Sequence, residues 1–271
     1  MKDYKSFFFF LEGTLLKDDQ LLPNVIELIG MLRKKNKQIF YITHHPYRSK
    51  ELLQLHLKQI GLEVSLHQLI TPVQAIQEYL LETTEKISVY IAGSQTLAEE
   101  IGKINVQRLT SATERTYGQV YVVLCLSKHI EEQQLQDSFQ LLQRGAKLIL
   151  INPEFMSDVF YQNIFDTGAI GRVLTHENTA TKKEVDHIGK PSVWLQQVLI
   201  NIIKKQHGGA VLLGHSVKGL ISVGQAIGID TVLISRNTSY IDEIQVLRQS
   251  PTWIVETLQD LYEMYQKIEL V

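Results

Sequence analysis

The sequence predicts an α/β fold, a mainly parallel sheet covered by helices. Two patterns predict it. Short apolar runs alternate along the whole chain with segments whose apolar residues recur at helical spacing, as in repeated strand–helix units. The runs end in glycine, proline or hydroxyl residues, which close strands and start helices. In the first run, Phe7, Phe8, Phe9, Phe10 and Leu11 follow one another without a polar residue. That is too short for a stable helix and lacks the alternation of a half-exposed strand, so it fits a strand buried on both faces. Gly13 ends it. In open α/β sheets ligands bind beyond the carboxyl ends of strands. A site is therefore expected near residues 12–14, against the plainer reading of an ordinary turn after a core strand.

The remaining elements follow in order. Leu22-Pro23-Asn24 opens a helix whose Val25, Leu28, Ile29 and Leu32 share a face. Lys34, Lys35 and Lys37 suit its C-terminal end. Gln38–Ile42 reads as the second strand, ending in Thr43-His44-His45-Pro46. The next helix buries Leu52, Leu53, Leu55, Leu57 and Ile60 and stops at Gly61. Residues 64–70 are strand-like, and Thr71-Pro72 supplies a cap and first helical position for a helix through Tyr79 and Leu80. Ile87–Ala92, 119–126 and Lys147–Ile151 read as strands, with helices at 97–101 and 131–143. Between 152 and 186 the pattern weakens and turn residues accumulate. Order resumes at Ile188-Gly189-Lys190-Pro191 with a helix through Ile203, then a strand at 210–213, a helix at 220–227 and a strand at 231–234. An amphipathic helix over 253–268 closes the chain. There is no internal repeat and no long linker.

Composition narrows the function classes. A chain of 271 residues with 44% hydrophobic and 21% charged content can bury one large or two modest cores. A net charge of −2 gives no basic footprint for nucleic acid and no polybasic membrane patch. The single cysteine, Cys125, excludes an internal disulfide and a thiolate cluster, and its apolar run makes it inert packing. The first apolar run is too short for a signal peptide, and no stretch has membrane-spanning length. A soluble protein of the reducing cytoplasm is expected.

Four short stretches carry the chemistry: Leu11-Glu12-Gly13-Thr14, Ile42-Thr43-His44-His45, Gly189-Lys190-Pro191 and Gly214-His215-Ser216. Three stand at or just past strand ends, and the fourth puts a cation before a helix. In order and spacing they resemble the four motifs of the haloacid dehalogenase (HAD) superfamily, more narrowly its NagD-like, p-nitrophenylphosphatase-type branch. Leu22-Pro23, the run Thr43 to Ser49, Thr71-Pro72, Gly145-Ala146-Lys147 before Ile151-Asn152-Pro153-Glu154, and Gly224 to Leu233 extend the likeness over nearly the whole chain. The resemblance implies a Rossmann-like core at 1–80 and 184–271, with an α/β cap of the C2 type inserted at 81–183.

The resemblance also shows where this chain departs from the family. Phosphatases of the family have Asp-x-Asp-Gly-Thr in the first motif; the first Asp attacks phosphorus and ligates magnesium, and the second serves as acid and base. Those positions are Phe10 and Glu12. A benzyl group has no lone pair to attack phosphorus or hold a cation. The family's fourth-motif acids are replaced by His215 and Lys218. Magnesium wants oxygen ligands, so no cofactor is expected and the family's magnesium site is expected to be lost. Nucleophile and metal supply much of the rate enhancement of phosphate-ester hydrolysis, which reaches ~10²¹-fold. The expected protein is therefore a catalytically degenerate HAD-like protein whose cleft retains phosphate through Gly13, Thr14, Thr43 and Lys190. The bland counterpart is a turn capped by Thr43 and a solvated Lys190.

Other assignments stay open. Glu12, His44 and His215, with His45 adjacent, form an alternative transition-metal set, against plain hydrogen-bonding histidines. Asn152 and Glu154 are cleft candidates from the cap, or a turn set by Pro153. The alternative function is a hydrolase of sugar phosphates or nucleotides working by a shifted mechanism, with Glu12 or a histidine as base or nucleophile. Expected partners are a phosphate-containing small molecule and, as an open alternative, further copies of the chain; nucleic acid and membrane are not expected.

Overall fold

The computed structural model describes residues 2–43, 48–82, 86–125, 130–151, 156–157, 164–165, 167–176, 185–188, 192–206, 208–235 and 240–267. The chain opens with β1 (Ser6–Phe10), a hairpin of β2 (Leu16–Lys17) and β3 (Gln20–Leu21), α1 (Val25–Lys34), β4 (Gln38–Ile42), α2 (Lys50–Gln59) and β5 (Leu69–Ile70). There follow α3 (Pro72–Leu81), β6 (Ile87–Ala92), α4 (Gln95–Ile101), β7 (Gln107–Leu109), β8 (Gln119–Leu124), α5 (Glu132–Gln143) and β9 (Lys147–Ile151). Next come β10 (Met156–Ser157), β11 (Ile164–Phe165), α6 (Thr167–His176), β12 (Val185–Ile188) and α7 (Val193–Ile203). The chain closes with β13 (Ala210–Gly214), α8 (Val217–Ile227), β14 (Asp230–Ile234), α9 (Tyr240–Leu247), β15 (Trp253–Val255) and α10 (Leu258–Lys267).

Contacts divide the chain into two compact units, one of residues 1–43, 50–70 and 196–271, the other of 44–49 and 71–195. The first is built on a six-stranded sheet, order β15-β14-β13-β1-β4-β5, parallel throughout. β1 lies between β13 and β4, with Phe8 opposite both Leu212 and Phe40. Its four phenylalanines are consecutive because both faces are covered. Phe7 and Phe9 join a core with Leu28, Ile29, Leu32, Leu213, Leu261 and Tyr265, while Phe8 stacks on Phe40 with ring centroids 4.8 Å apart. The start of β1 is fastened to the last helix: the Tyr4 N–H donates to the Tyr265 hydroxyl (3.0 Å), which donates to Asp3 (3.1 Å). Lys37 lies 2.6 Å from Asp3, and the Tyr4 hydroxyl donates to Asp230 at 2.8 Å.

The second unit holds a five-stranded parallel sheet, order β12-β9-β8-β6-β7. Val89, Ile91, Val123, Ile149 and Ile151 pack against Ala75, Ile76, Tyr79 and Leu80 of α3. The opposite face buries Val122, Leu124, Leu148 and Leu150 with Leu141, Leu142 and Leu174.

The structure departs from the sequence reading in several places. The segment 253–268 is not one helix: Trp253–Val255 is the edge strand β15, and α10 starts at Leu258. Residues 64–70 give only the two-residue β5, preceded by a 3-10 turn at Leu66–Gln68. The weak stretch 152–186 contains α6. The second unit runs over 71–195 where the sequence placed a cap at 81–183. It gains α3 because Tyr79 packs edge-on against Tyr121 and Trp194, with centroids 5.6 and 4.9 Å away, and its hydroxyl donates to Asp186.

Candidate functional site

The strand ends of the first unit bring Phe10, Glu12, Gly13, Thr14, Thr43 and His215 into one neighbourhood of adjoining strands, and Lys218 stands in the first turn of α8 after β13. Phe10 ends β1 opposite Ile42 of β4 and is 2% exposed. Its ring lies over Gly214, the last residue of β13. A Cβ on Gly214 would stand 2.8 Å from Phe10 Cδ2 and 3.3 Å from Leu220 Cδ1. Phe10, where the resemblance would put a nucleophile, is a packed hydrocarbon ring.

Beyond β1 the chain makes a self-contained turn. The N–H groups of Thr14, Leu15 and Leu16 donate to the Leu11 carbonyl at 3.3, 2.9 and 2.8 Å, and the Gly13 N–H donates to the Leu16 carbonyl at 2.7 Å. The β2–β3 hairpin, turning through Asp18 and Asp19 at positive φ, returns Leu16 to that position. The Gly13 and Thr14 amides, expected to cradle an anion, donate inside the turn in this structure. Thr14 is buried. Gly13 has φ +71, and the His215 imidazole lies directly on it: a Cβ there would be 2.3 to 2.5 Å from three ring atoms. His215 Nδ1 is 3.5 Å from Thr14 Oγ1. This contact between loops distant in sequence was not visible in the motifs; a glycine at positive φ was its one trace.

Glu12 and Thr43 meet across β1 and β4. The Thr43 hydroxyl donates to Glu12 Oε1 at 2.5 Å, and the Thr43 N–H donates to the Ile70 carbonyl at 3.0 Å. Thr43 is buried, so its hydroxyl serves the neighbouring carboxylate. Ser216 caps α8 by accepting from the Gly219 N–H at 3.4 Å, and Lys218 is exposed in the first turn. His44, His45, Asn152, Glu154 and Lys190 lie outside the described residues.

The donors present do not suit magnesium. Where the resemblance would put oxygen ligands, the described residues offer a hydrocarbon ring, an imidazole laid on a glycine, an ammonium group and the Glu12 carboxylate. Among the described residues no group of three or more His, Cys, Asp and Glu could hold a metal. The alternative set Glu12, His44 and His215 includes a residue outside them.

Comparison with known proteins places the chain. The family described as haloacid dehalogenase-like hydrolase matches residues 7–107. The acid sugar phosphatase of Staphylococcus saprophyticus is 23% identical over 269 residues, 99% of this chain and 100% of that protein. The ribonucleotide monophosphatase NagD of Escherichia coli is 20% identical, over 93% of this chain and 95% of that one. Among solved structures, the p-nitrophenyl phosphatase of Archaeoglobus fulgidus superposes with a TM-score of 0.81 at 21% identity, covering 97% of this chain and 100% of its own.

Residues 7–107 thus match the haloacid dehalogenase-like family, and along nearly its whole length the chain is similar to phosphatases of the NagD-like branch. The fold is that of these phosphatases, with a parallel-sheet α/β unit and a second α/β unit. The resemblance would put Phe10 and Glu12 in the first motif, Thr43 in the second, and His215 and Lys218 in the fourth. Among the described residues no helix is long and apolar enough to cross a membrane.

Proposed function

We propose that this HAD-like protein binds a phosphate-bearing small molecule without hydrolysing it by the aspartyl-nucleophile route of its phosphatase relatives. The observation that carries the reading is the Phe10 ring, buried against Gly214 where an attacking carboxylate would stand. With the turn amides occupied, the binding charge comes from cationic side chains: Lys218, His215 when protonated and, from the sequence, Lys190. The protein acts in the cytoplasm on a small molecule, neither on nucleic acid nor at a membrane. Light scattering over a concentration range tests whether copies self-associate.

A second reading is a hydrolase with a shifted mechanism. The relatives' names, sugar phosphatase and ribonucleotide monophosphatase, favour it, and so does Glu12, a carboxylate held by Thr43 at a strand end. Steady-state release of phosphate from p-nitrophenyl phosphate and from sugar phosphates, with magnesium, separates the two. The binding reading expects no turnover above buffer, with thermal stabilisation by phosphate. Turnover that persists through purification and disappears in Glu12→Gln or His215→Ala establishes the second reading instead.

A further inference from the structure

The misfit between the HAD magnesium site and these residues leads further, on the basis of the binding reading above. A divalent cation at the end of β13 would have the like charge of Lys218 in the first turn of the helix that follows, with no oxygen from Phe10 and none from His215. The one carboxylate, Glu12, already accepts the Thr43 hydroxyl. An anion meets the opposite situation. Lys218 is exposed, three residues beyond a His215 that is itself exposed and lies on Gly13. Among the described residues at these strand ends the opposing charge is Glu12, whose Oε1 accepts the Thr43 hydroxyl. Replacing acidic positions by an ammonium and an imidazole removes negative charge and adds a positive one, and the local field selects the ligand's charge.

We infer that Lys218 and His215 take over the charge-neutralising work of the divalent cation, so that the chain holds its anionic ligand without metal and takes up neither magnesium nor manganese at these strand ends. Charge neutralisation by fixed side chains needs no metal loading, and its strength is insensitive to chelators.

The test uses the full chain and two probes, inorganic phosphate and manganese. Calorimetric titration of phosphate is run in EDTA and again in excess magnesium, and manganese binding is followed by water-proton relaxation. The expected result is the same phosphate affinity in both buffers and no manganese enhancement. Lys218→Ala, an exposed substitution that leaves the core untouched, is expected to weaken phosphate binding about 10-fold, the size of one charged hydrogen bond. Phosphate binding that needs magnesium, a manganese signal that Glu12→Gln removes, or a Lys218→Ala affinity equal to the parent's overturns the inference while leaving the binding reading intact. No phosphate binding in either buffer overturns the binding reading, and the inference falls with it.

Discussion

Substituting Gly214 by alanine tests most sharply whether Phe10 is core. The new Cβ would stand 2.8 Å from Phe10 Cδ2 and 3.3 Å from Leu220 Cδ1, against about 3.5–4.0 Å for relaxed carbon contacts. Overpacking of this kind costs about 1–3 kcal/mol. Phe10→Ala removes a ring that is 2% exposed and is expected to cost ~3–5 kcal/mol. With the ring gone, the methyl of Gly214→Ala loses its main obstacle. The double variant should therefore be more stable than the sum of the singles by ~1–3 kcal/mol, the coupling expected of touching residues. Gly30→Ala is the control. Gly30 lies within α1 with nothing within 4 Å of its Cβ position, so alanine should stabilise by roughly 0.5–1 kcal/mol. Urea unfolding followed by Trp253, in the same unit, measures all four proteins. The reasoning fails if Gly214→Ala behaves like Gly30→Ala, or if Phe10→Ala costs less than about 1 kcal/mol.

Other perturbations read neighbouring features. Gly13→Ala forces a side chain into φ +71 and into the His215 ring; a loss of ~1–3 kcal/mol in urea is expected, smaller in a His215→Ala background. Tyr265→Phe keeps the edge-on packing against Phe7 but removes the acceptor of the Tyr4 N–H and the donor to Asp3, at a cost of about 1–3 kcal/mol; no change would contradict those bonds. The Lys37 hydrogen bond lowers the pKa of Asp3, and the Lys2 hydrogen bond that of Asp230. Both contribute stability above the unfolded carboxyl value, about pH 4, that is lost as pH falls through their folded values. Asp3→Asn with Asp230→Asn should therefore lower stability at neutral pH and flatten its decline on acidification, measured by melting temperature against pH. Parallel curves would show that these carboxylates are not acid-sensitive anchors.

The sequence made the buried strand legible because four phenylalanines in a row leave no polar face, and the motif departures legible because they are changes of residue type. Elements whose signal was weak or divided were missed. Trp253-Ile254-Val255 prefers a strand, yet it runs almost directly into the helical pattern of α10; the boundary was marked by Thr257, whose N–H and hydroxyl both donate to Asp260 at 2.8 Å. α6 was obscured by its glycines. A Cβ on Gly171 would stand 2.9 Å from Leu150 Cδ2, so α6 lies close against β9 there. The partners of the Gly13 and Thr14 amides were not legible either, because a hairpin returning the Leu16 carbonyl to Gly13 is a tertiary fact that residue identities do not encode.

A single-turnover experiment bears most directly on the central claim, with protein in excess over p-nitrophenyl phosphate and magnesium present. On the proposed reading, in which a packed benzyl ring stands where the resemblance puts the nucleophile, the protein should release phosphate no faster than buffer and should yield no trapped phosphoenzyme. Divalent-dependent release, stoichiometric with protein and abolished by Glu12→Gln, would mean that a working nucleophile exists and that the Phe10 substitution did not silence this fold.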